Sequence, residues 1–433
     1  MKKFIAGLII LCLIIVAGVG YLGSRSGGVP QGAPVANSAA GTAGTDSGAA
    51  VPAPADGPDG VTNGGTGTGG AGTGAAEEVS APRVYLDYEK IYALHGADEK
   101  ACRIGDREGT WGDYFYLLYT QSSQIEQYLA TYAMYGMPVS WEDKVEEDGE
   151  ETFADYAVET ARKLTVQLTA LEMFAEQNGV EMDEEFLAKV EEQKQADIVS
   201  AIGEGGTEEE FFSHLEEIYL SREMYHRITL QNLLYQESFK KLYGENGENV
   251  TDEDALAWLE KNQYMSAVHV LFLNKDSATN EPLDEAALAA KKAELEALVE
   301  ELRAVEDPKE RAAAFKAKMN ELSEDPGKEN YPDGYIFKPG AMVAEFENAV
   351  LSLEDYEISD VVETSYGYHV IMRLPLTADG VVEFNSNTGE PRTARMLAAN
   401  QEYGDKLQEL ADSLGFEWLP GFEDPILTDY LKE

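Results

Sequence analysis

Amphipathic helices are the main pattern of residues 84–262. Apolar side chains recur there at three- and four-residue steps, the spacing that places them on one face of a helix. Helix starts are predicted where a threonine is followed three residues later by Asp or Glu: Thr110, Thr152, Thr207 and Thr251. The helix that begins at Thr207 is predicted to be long and to include Tyr219 and Leu233.

The pattern changes after Met265. Residues 267–273 form an unbroken apolar run that contains one histidine, which is typical of a buried strand. The further predicted elements are helices at 285–303, from Asp307 onwards and at 342–353, and strands at 335–337, 361–364 and 369–372. The order β-α-α-β-α-β-β over about 110 residues predicts one compact α+β domain.

Residues 377–433 are predicted to return to the helical region. The apolar spacing of residues 396–414 predicts one more helix, which ends at Gly415. This tail is too short to fold alone, so we expect it to pack on residues 81–263. The domain at 264–376 would then be an insertion between two parts of a larger, mainly helical domain.

Residues 1–23 predict a membrane-directing segment. Lys2 and Lys3 precede an uncharged apolar stretch at 4–22, which as a helix nearly crosses a hydrocarbon layer of ~30 Å. The two lysines favour export of everything that follows. The segment is either retained as a membrane anchor or cleaved as a signal peptide, and both alternatives stay open. Residues 24–80, rich in Gly, Ala, Thr and Pro, predict a disordered linker.

Composition excludes several classes of protein. Thirty-three basic residues against 80 acidic ones give a net charge of −47, which disfavours binding to nucleic acid. A hydrophobic fraction of 44% is too high for a wholly disordered chain. Of the two cysteines, Cys12 lies in the apolar stretch and only Cys102 falls in a folded region. A disulfide framework and thiolate zinc sites are therefore not expected.

Two of the five histidines lie in apolar strand runs of the middle domain: His269 and His369. A buried imidazole needs a hydrogen-bond partner, and a second imidazole in an adjacent strand is a natural one. From the residues alone, a satisfied pair of core histidines and a functional dyad both remain open. No histidine pair has helical zinc spacing, no nucleophile-elbow motif is present, and no metal or cofactor is predicted.

Four segments of the middle domain carry a family resemblance. They are the strand at 267–271, the Leu-Ser-Glu-Asp segment at 322–325, the run at 337–347 and the Thr-Ser-Tyr-Gly-Tyr-His-Val-Ile segment at 364–371. Together and in this order they resemble the parvulin family of peptidyl-prolyl isomerases. The wider layout, a membrane-directing segment, a helical part, the insert and a returning tail, is similar to the extracytoplasmic PrsA-like and SurA-like foldases.

The resemblance implies both roles and partners. The positions that match the family's catalytic network are His269, Asp325, Thr364 and His369. The apolar pocket for the proline ring falls on Met342 and Phe346, four residues apart on one face of the predicted helix at 342–353. The implied activity is cis–trans isomerisation of X–Pro bonds, on unfolded exported proteins at the extracytoplasmic face of a bacterial membrane. The flanking helical region would be a SurA-like chaperone domain.

One segment departs from the family. Parvulins usually have Gly-Gly-Asp-Leu-Gly before the second strand, whereas this chain has Tyr-Pro-Asp-Gly-Tyr at 331–335. The customary leucine of the pocket is therefore missing, and Ile336 or Phe337 is expected to compensate. The alternative is a catalytically weak or inactive holdase chaperone with a parvulin-shaped insert.

Overall fold

The computed structural model describes residues 84–432 except 136, 138, 147, 148, 386 and 387. The predicted membrane-directing segment and the linker that follows it lie outside these residues. No helix within the described ranges is both long and apolar enough to span a membrane. The described residues divide into two compact units, one of 95–118 with 160–423 and the other of 84–94, 119–159 and 424–432.

The smaller unit joins the two ends of the described chain. Its elements are helix α1 (Tyr88–Tyr92), the later part of α2 (Trp111–Met134), the start of α3 (Phe153–Gln177) and a short 3-10 helix (Leu427–Tyr430). Leu86 and Leu431 form an antiparallel bridge, and the Trp141 indole N–H donates to the Val84 carbonyl at 2.7 Å. Thr152 and Asp155 cap α3 reciprocally, as their spacing predicts.

The helical part of the larger unit contains the ends of α2 and α3 that lie in it and five further helices. These are α4 (Glu184–Ile202), α5 (Glu208–Glu216), α6 (Arg222–Tyr243), α7 (Asp252–Lys261) and α11 (Ala394–Leu414). Strands β1 (Lys100–Ile104), β2 (Arg107–Thr110) and β9 (Glu417–Trp418) form a sheet in the order β2-β1-β9. The returning helix α11 packs against α6 and α7. Its buried Tyr403 contacts the rings of Phe174, Tyr235 and Phe239.

The prediction of one long helix after Thr207 is wrong. Thr207 and Glu210 do form a capping box, but α5 ends at Glu216. Tyr219 then adopts a φ of 62°, which a right-handed helix cannot contain, and Ser221 caps the next helix, α6. The apolar spacing continues across the break because Phe211 and Phe212 of α5 pack against Tyr225 of α6. Helix α4, with Asp183 as its N-cap, was not predicted either.

The middle domain has the element order β-α-α-β-α-β-β. Its elements are β3 (Met265–Leu273), α8 (Glu285–Arg303), α9 (Pro308–Leu322), β4 (Tyr335–Phe337), α10 (Ala344–Ser352), β5 (Val362–Thr364) and β6 (Gly367–Leu374). The antiparallel sheet has the order β4-β3-β6-β5. Val268 and Val270 face the core formed with α8 and α9, whereas the opposite face of the sheet packs against Phe346 and Val350 of α10.

A small hairpin follows the middle domain and was not predicted. It consists of β7 (Val381–Phe384) and β8 (Pro391–Thr393), and it leads directly into α11. Val382 of this hairpin is buried in a cluster with Leu259, Ile336 and Leu397. This apolar cluster therefore joins the middle domain to the helical part of the same unit.

A partly buried charge cluster connects three helices of the larger unit. The Arg227 guanidinium on α6 contacts Glu172 at 2.6 Å and Asp113 at 3.5 Å, and it donates to Thr169 Oγ1 at 3.0 Å. Gln231 donates to the same Glu172 carboxylate at 2.8 Å. The three charged side chains are each only about a fifth exposed. Asp113 therefore depends on Arg227 to balance its charge, whereas Glu172 also has a longer ion pair with Arg107 at 3.6 Å.

Replacing Arg227 by Met is expected to lower the free energy of unfolding by about 2–4 kcal/mol, because it leaves Asp113 without its cation and Glu172 with only the longer contact to Arg107. Chemical denaturation of the full chain measures this loss. The matched control is Lys240→Met on the same helix, where the ion pair with Glu245 is 57% and 73% exposed. That change should cost less than about 1 kcal/mol. Equal losses for the two variants would contradict the assigned role of the cluster.

Candidate active site

The register between β3 and β6 brings the two strand histidines together. His269 pairs with Ile371 and Leu271 pairs with His369, so both imidazoles lie on the same face of the sheet. Their ring centroids are 5.2 Å apart and their planes meet at 73°. Both residues are buried. Two histidines that are 100 positions apart in sequence thus become neighbours.

Asp325 is positioned by a segment that runs along the part of β3 beyond its pairing with β4. The Glu324 amide donates to the Leu271 carbonyl at 2.8 Å, and the Leu271 amide donates to Ser323 Oγ at 3.0 Å. Asp325 follows directly, and its Oδ2 lies 3.0 Å from His269 Nε2. The same oxygen accepts from the Tyr335 hydroxyl at 2.7 Å.

Hydrogen-bond donors keep Asp325 ionised despite its burial. Burial by itself raises the pKa of this carboxyl, but hydrogen bonds from His269, Tyr335 and the Gly327 amide outweigh it and bring the pKa to about 2. An ionised carboxylate only accepts hydrogen bonds, so the His269 Nε2–H must be the donor. In the neutral imidazole, Nδ1 then carries the free lone pair.

His369 is bound by the hairpin of β5 and β6. Its Nε2 lies 2.9 Å from Thr364 Oγ1, which also accepts from the Tyr366 amide at 3.1 Å. Burial, with a smaller contribution from the nearby His269 ring, lowers the pKa of His369 to about 3, although Asp325 acts in the opposite direction. His369 is therefore neutral at physiological pH.

The expected hydrogen bond between the two imidazoles is not formed. Each ring uses Nε2 for a partner outside the pair, Asp325 for His269 and Thr364 for His369. Both Nδ1 atoms are buried and lack a hydrogen-bond partner among the residues described. The reason is that the nearby carboxylate and hydroxyl satisfy the rings more strongly than a second neutral imidazole would. The rings meet edge to face instead.

The apolar part of the site centres on Phe346. Its ring contacts His269 at 5.2 Å, His369 at 5.7 Å and Phe337 at 5.8 Å between centroids. Met342 packs against the same cluster but precedes helix α10, which begins at Ala344. The prediction that Met342 and Phe346 share one helical face is therefore wrong. The Met342 amide instead donates to the side chain of Glu347 at 2.9 Å.

The two candidates for the missing leucine lie on opposite sides of β4. Phe337 pairs with Met265 and packs against Phe346. Ile336 is turned to the other face of the strand, in the cluster with Val382, so it does not join the histidines. Tyr335 shares the face of Phe337, and its ring centroid lies 5.6 Å from that of His269. The alternation of side chains along a strand could have identified Tyr335 from the sequence.

The site contains no set of metal ligands. The Nε2 atoms of His269 and His369 are bound to Asp325 and Thr364. Nowhere in the described ranges do three or more His, Cys, Asp or Glu side chains form a group that could hold a metal ion.

The fold and the histidine pair define a domain of the parvulin type, and comparison with known families agrees. Residues 269–374 match the family model of the rotamase, or PPIC-type PPIase, domain. Among curated relatives, the foldase protein PrsA of Halalkalibacterium halodurans is 30% identical over 131 residues, 29% of this chain and 32% of the relative. The chaperone SurA of Burkholderia thailandensis is 40% identical over 81 residues, 18% of each chain. The predicted resemblance to PrsA/SurA-like foldases is confirmed.

These similarities cover only part of each protein. The chain spans about a third of the PrsA relative and less than a fifth of the SurA relative. Among solved structures, PrsA from Bacillus subtilis is 20% identical and covers 62% of this chain and 89% of its own, with a TM-score of 0.23. A SurA-like chaperone of Campylobacter jejuni covers 57% and 89% at 18% identity, with a TM-score of 0.20. TM-scores this low do not establish a shared arrangement of the whole chain.

The lowered pKa of His369 predicts how stability depends on pH. Below about pH 6.5 the unfolded chain takes up a proton at this histidine while the folded chain does not, so the free energy of unfolding should fall from pH 6.5 to pH 4. His369→Asn should flatten this decline in urea denaturation of the full chain. Asp325→Asn is the control, because the Asp325 carboxyl titrates below pH 3.8 and the decline should persist. An unchanged slope in the His369 variant would contradict the assigned neutral state.

Proposed function

We propose that this protein catalyses cis–trans isomerisation of X–Pro bonds and binds unfolded exported proteins. The observation that carries the proposal is the convergence of His269, His369, Asp325 and Thr364 beside the ring of Phe346, within a segment that matches the PPIC-type PPIase family. The PrsA and SurA names of its curated relatives support a foldase or chaperone role.

The chemistry requires no bond to be broken. Rotation about an X–Pro bond meets a barrier of about 18–20 kcal/mol because resonance ties the nitrogen to the carbonyl. The site must therefore favour the twisted amide over the planar one. An apolar surface such as Phe346 would hold the pyrrolidine ring and exclude water. The polar network would position the carbonyl, whose charge distribution changes as resonance is lost.

The charges of the network suit this task. Asp325 supplies one fixed negative charge at the edge of the site, and the neutral His369 adds none. Each histidine is held by a partner outside the pair, so neither ring has to rotate when a substrate carbonyl approaches. We assign His269 and His369 to the orientation of the substrate rather than to acid–base catalysis.

We assign client binding to the helical region that precedes the middle domain in sequence. At the end of α2, Met134, Tyr135 and Met137 are exposed, with fractions of 87%, 68% and 51%. Exposed apolar groups of this kind are typical of surfaces that contact other chains. We further propose that the protein acts on the extracytoplasmic side of the membrane, to which residues 4–22 direct it.

Phe346→Ala and His269→Ala are each expected to lower kcat/KM for X–Pro isomerisation on the order of 10- to 100-fold, because each removes a group next to the rotating bond. A protease-coupled peptide assay on the full chain measures the rate, and circular dichroism checks that the variants fold. Leu351→Ala is the matched control, on the same helix as Phe346 but 60% exposed. Rates equal to that of the control would show that the assigned site is wrong.

A holdase with little isomerase activity is the second candidate. The observation that favours it is the close packing of the site, in which Phe346, His369 and His269 are only 2%, 4% and 7% exposed. A substrate proline would then find little room beside the ring of Phe346. This candidate predicts that the full chain suppresses aggregation of a chemically denatured test protein, equally well with Phe346→Ala, while no isomerase rate is detected. A measurable rate that Phe346→Ala abolishes excludes it.

A further inference from the structure

Tyr335 lies where the parvulin pattern has its last glycine, and its hydroxyl reaches into the site. We propose that Tyr335 is a positioning residue, whose hydroxyl fixes the Asp325 carboxylate in the orientation that accepts the His269 Nε2–H. This inference rests on the proposed isomerase function. It gives a role in the site to the segment at 331–335, which departs from the parvulin pattern.

The hydrogen bonds of Asp325 account for such a role. Oδ2 accepts from Tyr335 at 2.7 Å and from His269 at 3.0 Å, while Oδ1 accepts from the Gly327 amide at 3.0 Å. Three donors on two oxygens define the plane of the carboxylate. Without the hydroxyl, Oδ2 would have His269 as its single donor, and the carboxylate would rotate more freely about its Cβ–Cγ bond. The low pKa of Asp325 agrees with a donor set of this strength.

The Tyr335 hydroxyl occupies space that is left open by the glycine at position 327. A Cβ atom placed on Gly327 would lie 2.0 Å from the Tyr335 hydroxyl oxygen and 3.2 Å from Cζ. Any side chain at 327 would therefore displace the hydroxyl from Asp325. The absence of a side chain at this position leaves the volume that the tyrosine oxygen occupies.

Aromatic contacts hold the ring of Tyr335 from two directions. Its centroid lies 5.6 Å from that of His269 and 4.6 Å from that of Tyr331. Tyr331 in turn meets Phe384 of strand β7 edge to face at 5.3 Å. A row of rings thus extends from the site to the hairpin of β7 and β8. Contacts of this kind restrict the ring and so determine where its hydroxyl points.

The test compares Tyr335→Phe with Tyr331→Phe in the full chain. Tyr331→Phe is the matched control, because it removes a hydroxyl from the same row of rings without touching Asp325. The first readout is the hydrogen-exchange rate of the His269 Nε2–H, measured by NMR at pH 7. We expect exchange to be severalfold faster in Tyr335→Phe and unchanged in the control. Equal exchange in wild type and Tyr335→Phe overturns the proposal.

The second readout is kcat for X–Pro isomerisation, measured by NMR exchange spectroscopy without a protease. Tyr335→Phe is expected to lower kcat about three- to tenfold, the equivalent of one hydrogen bond. If Tyr335 acts through Asp325, the same substitution has no further effect in an Asp325→Asn background. Additive losses in the double variant overturn the proposal. A wild-type chain without any isomerase rate refutes the proposed function instead, and His269 exchange still decides the role of Tyr335.

Gly327→Ala provides an independent variant that retains the tyrosine. The added methyl group should displace the hydroxyl and accelerate His269 exchange as Tyr335→Phe does. Combined with Tyr335→Phe it should add little, because the remaining contact with Cζ at 3.2 Å is relieved by a shift of a few tenths of an ångström. Exchange that stays at the wild-type rate in Gly327→Ala would contradict the assigned position of the hydroxyl.

Discussion

The register of β3 against β6 is the constraint on which the site depends. A slip of one residue would turn His269 toward helices α8 and α9, because successive side chains of a strand point to opposite faces. The apolar residues on both faces oppose such a slip, since Val268 and Val270 complete one core while Ala267 and Ile371 complete the other. The position of the imidazoles is therefore set by hydrophobic packing rather than by polar contacts.

The turn before β6 maintains this register. Gly367 has a φ of 146°, and a Cβ there would lie 2.1 Å from the Phe272 carbonyl oxygen. A glycine is thus needed where the hairpin passes close to β3. The same turn places the Thr364 hydroxyl next to His369. The close approach of the backbone and the hydrogen bond of the histidine are consequences of one local geometry.

The sequence predicts those features of this protein that depend on neighbouring residues. The capping pairs at Thr152 and Thr207 and the elements of the middle domain could be recognised because propensity, capping and periodicity act over a few positions. The break at Tyr219 could not, since a non-glycine residue with positive φ leaves no signal in an apolar pattern. The family resemblance placed Asp325 and Thr364 in one network with the histidines, but the residues alone did not predict these hydrogen-bond partners. In the sequence, the second imidazole is as plausible a partner for His269 as a carboxylate. The segment at 323–325, which is hydrogen-bonded to Leu271 of β3, brings Asp325 to His269.

Strand β4 shows why the site cannot be understood from the family-matched segment alone. Tyr335 and Phe337 face the histidines, whereas Ile336 between them is buried against Val382 and Leu397. The match to the family ends at residue 374, before the hairpin and α11 begin. Separated from these flanking elements, the strand would expose Ile336 to water, and Tyr331 would lose its contact with Phe384. The geometry on one face of β4 is therefore supported by packing on the other, so the helical part of the unit contributes to the site without touching a substrate.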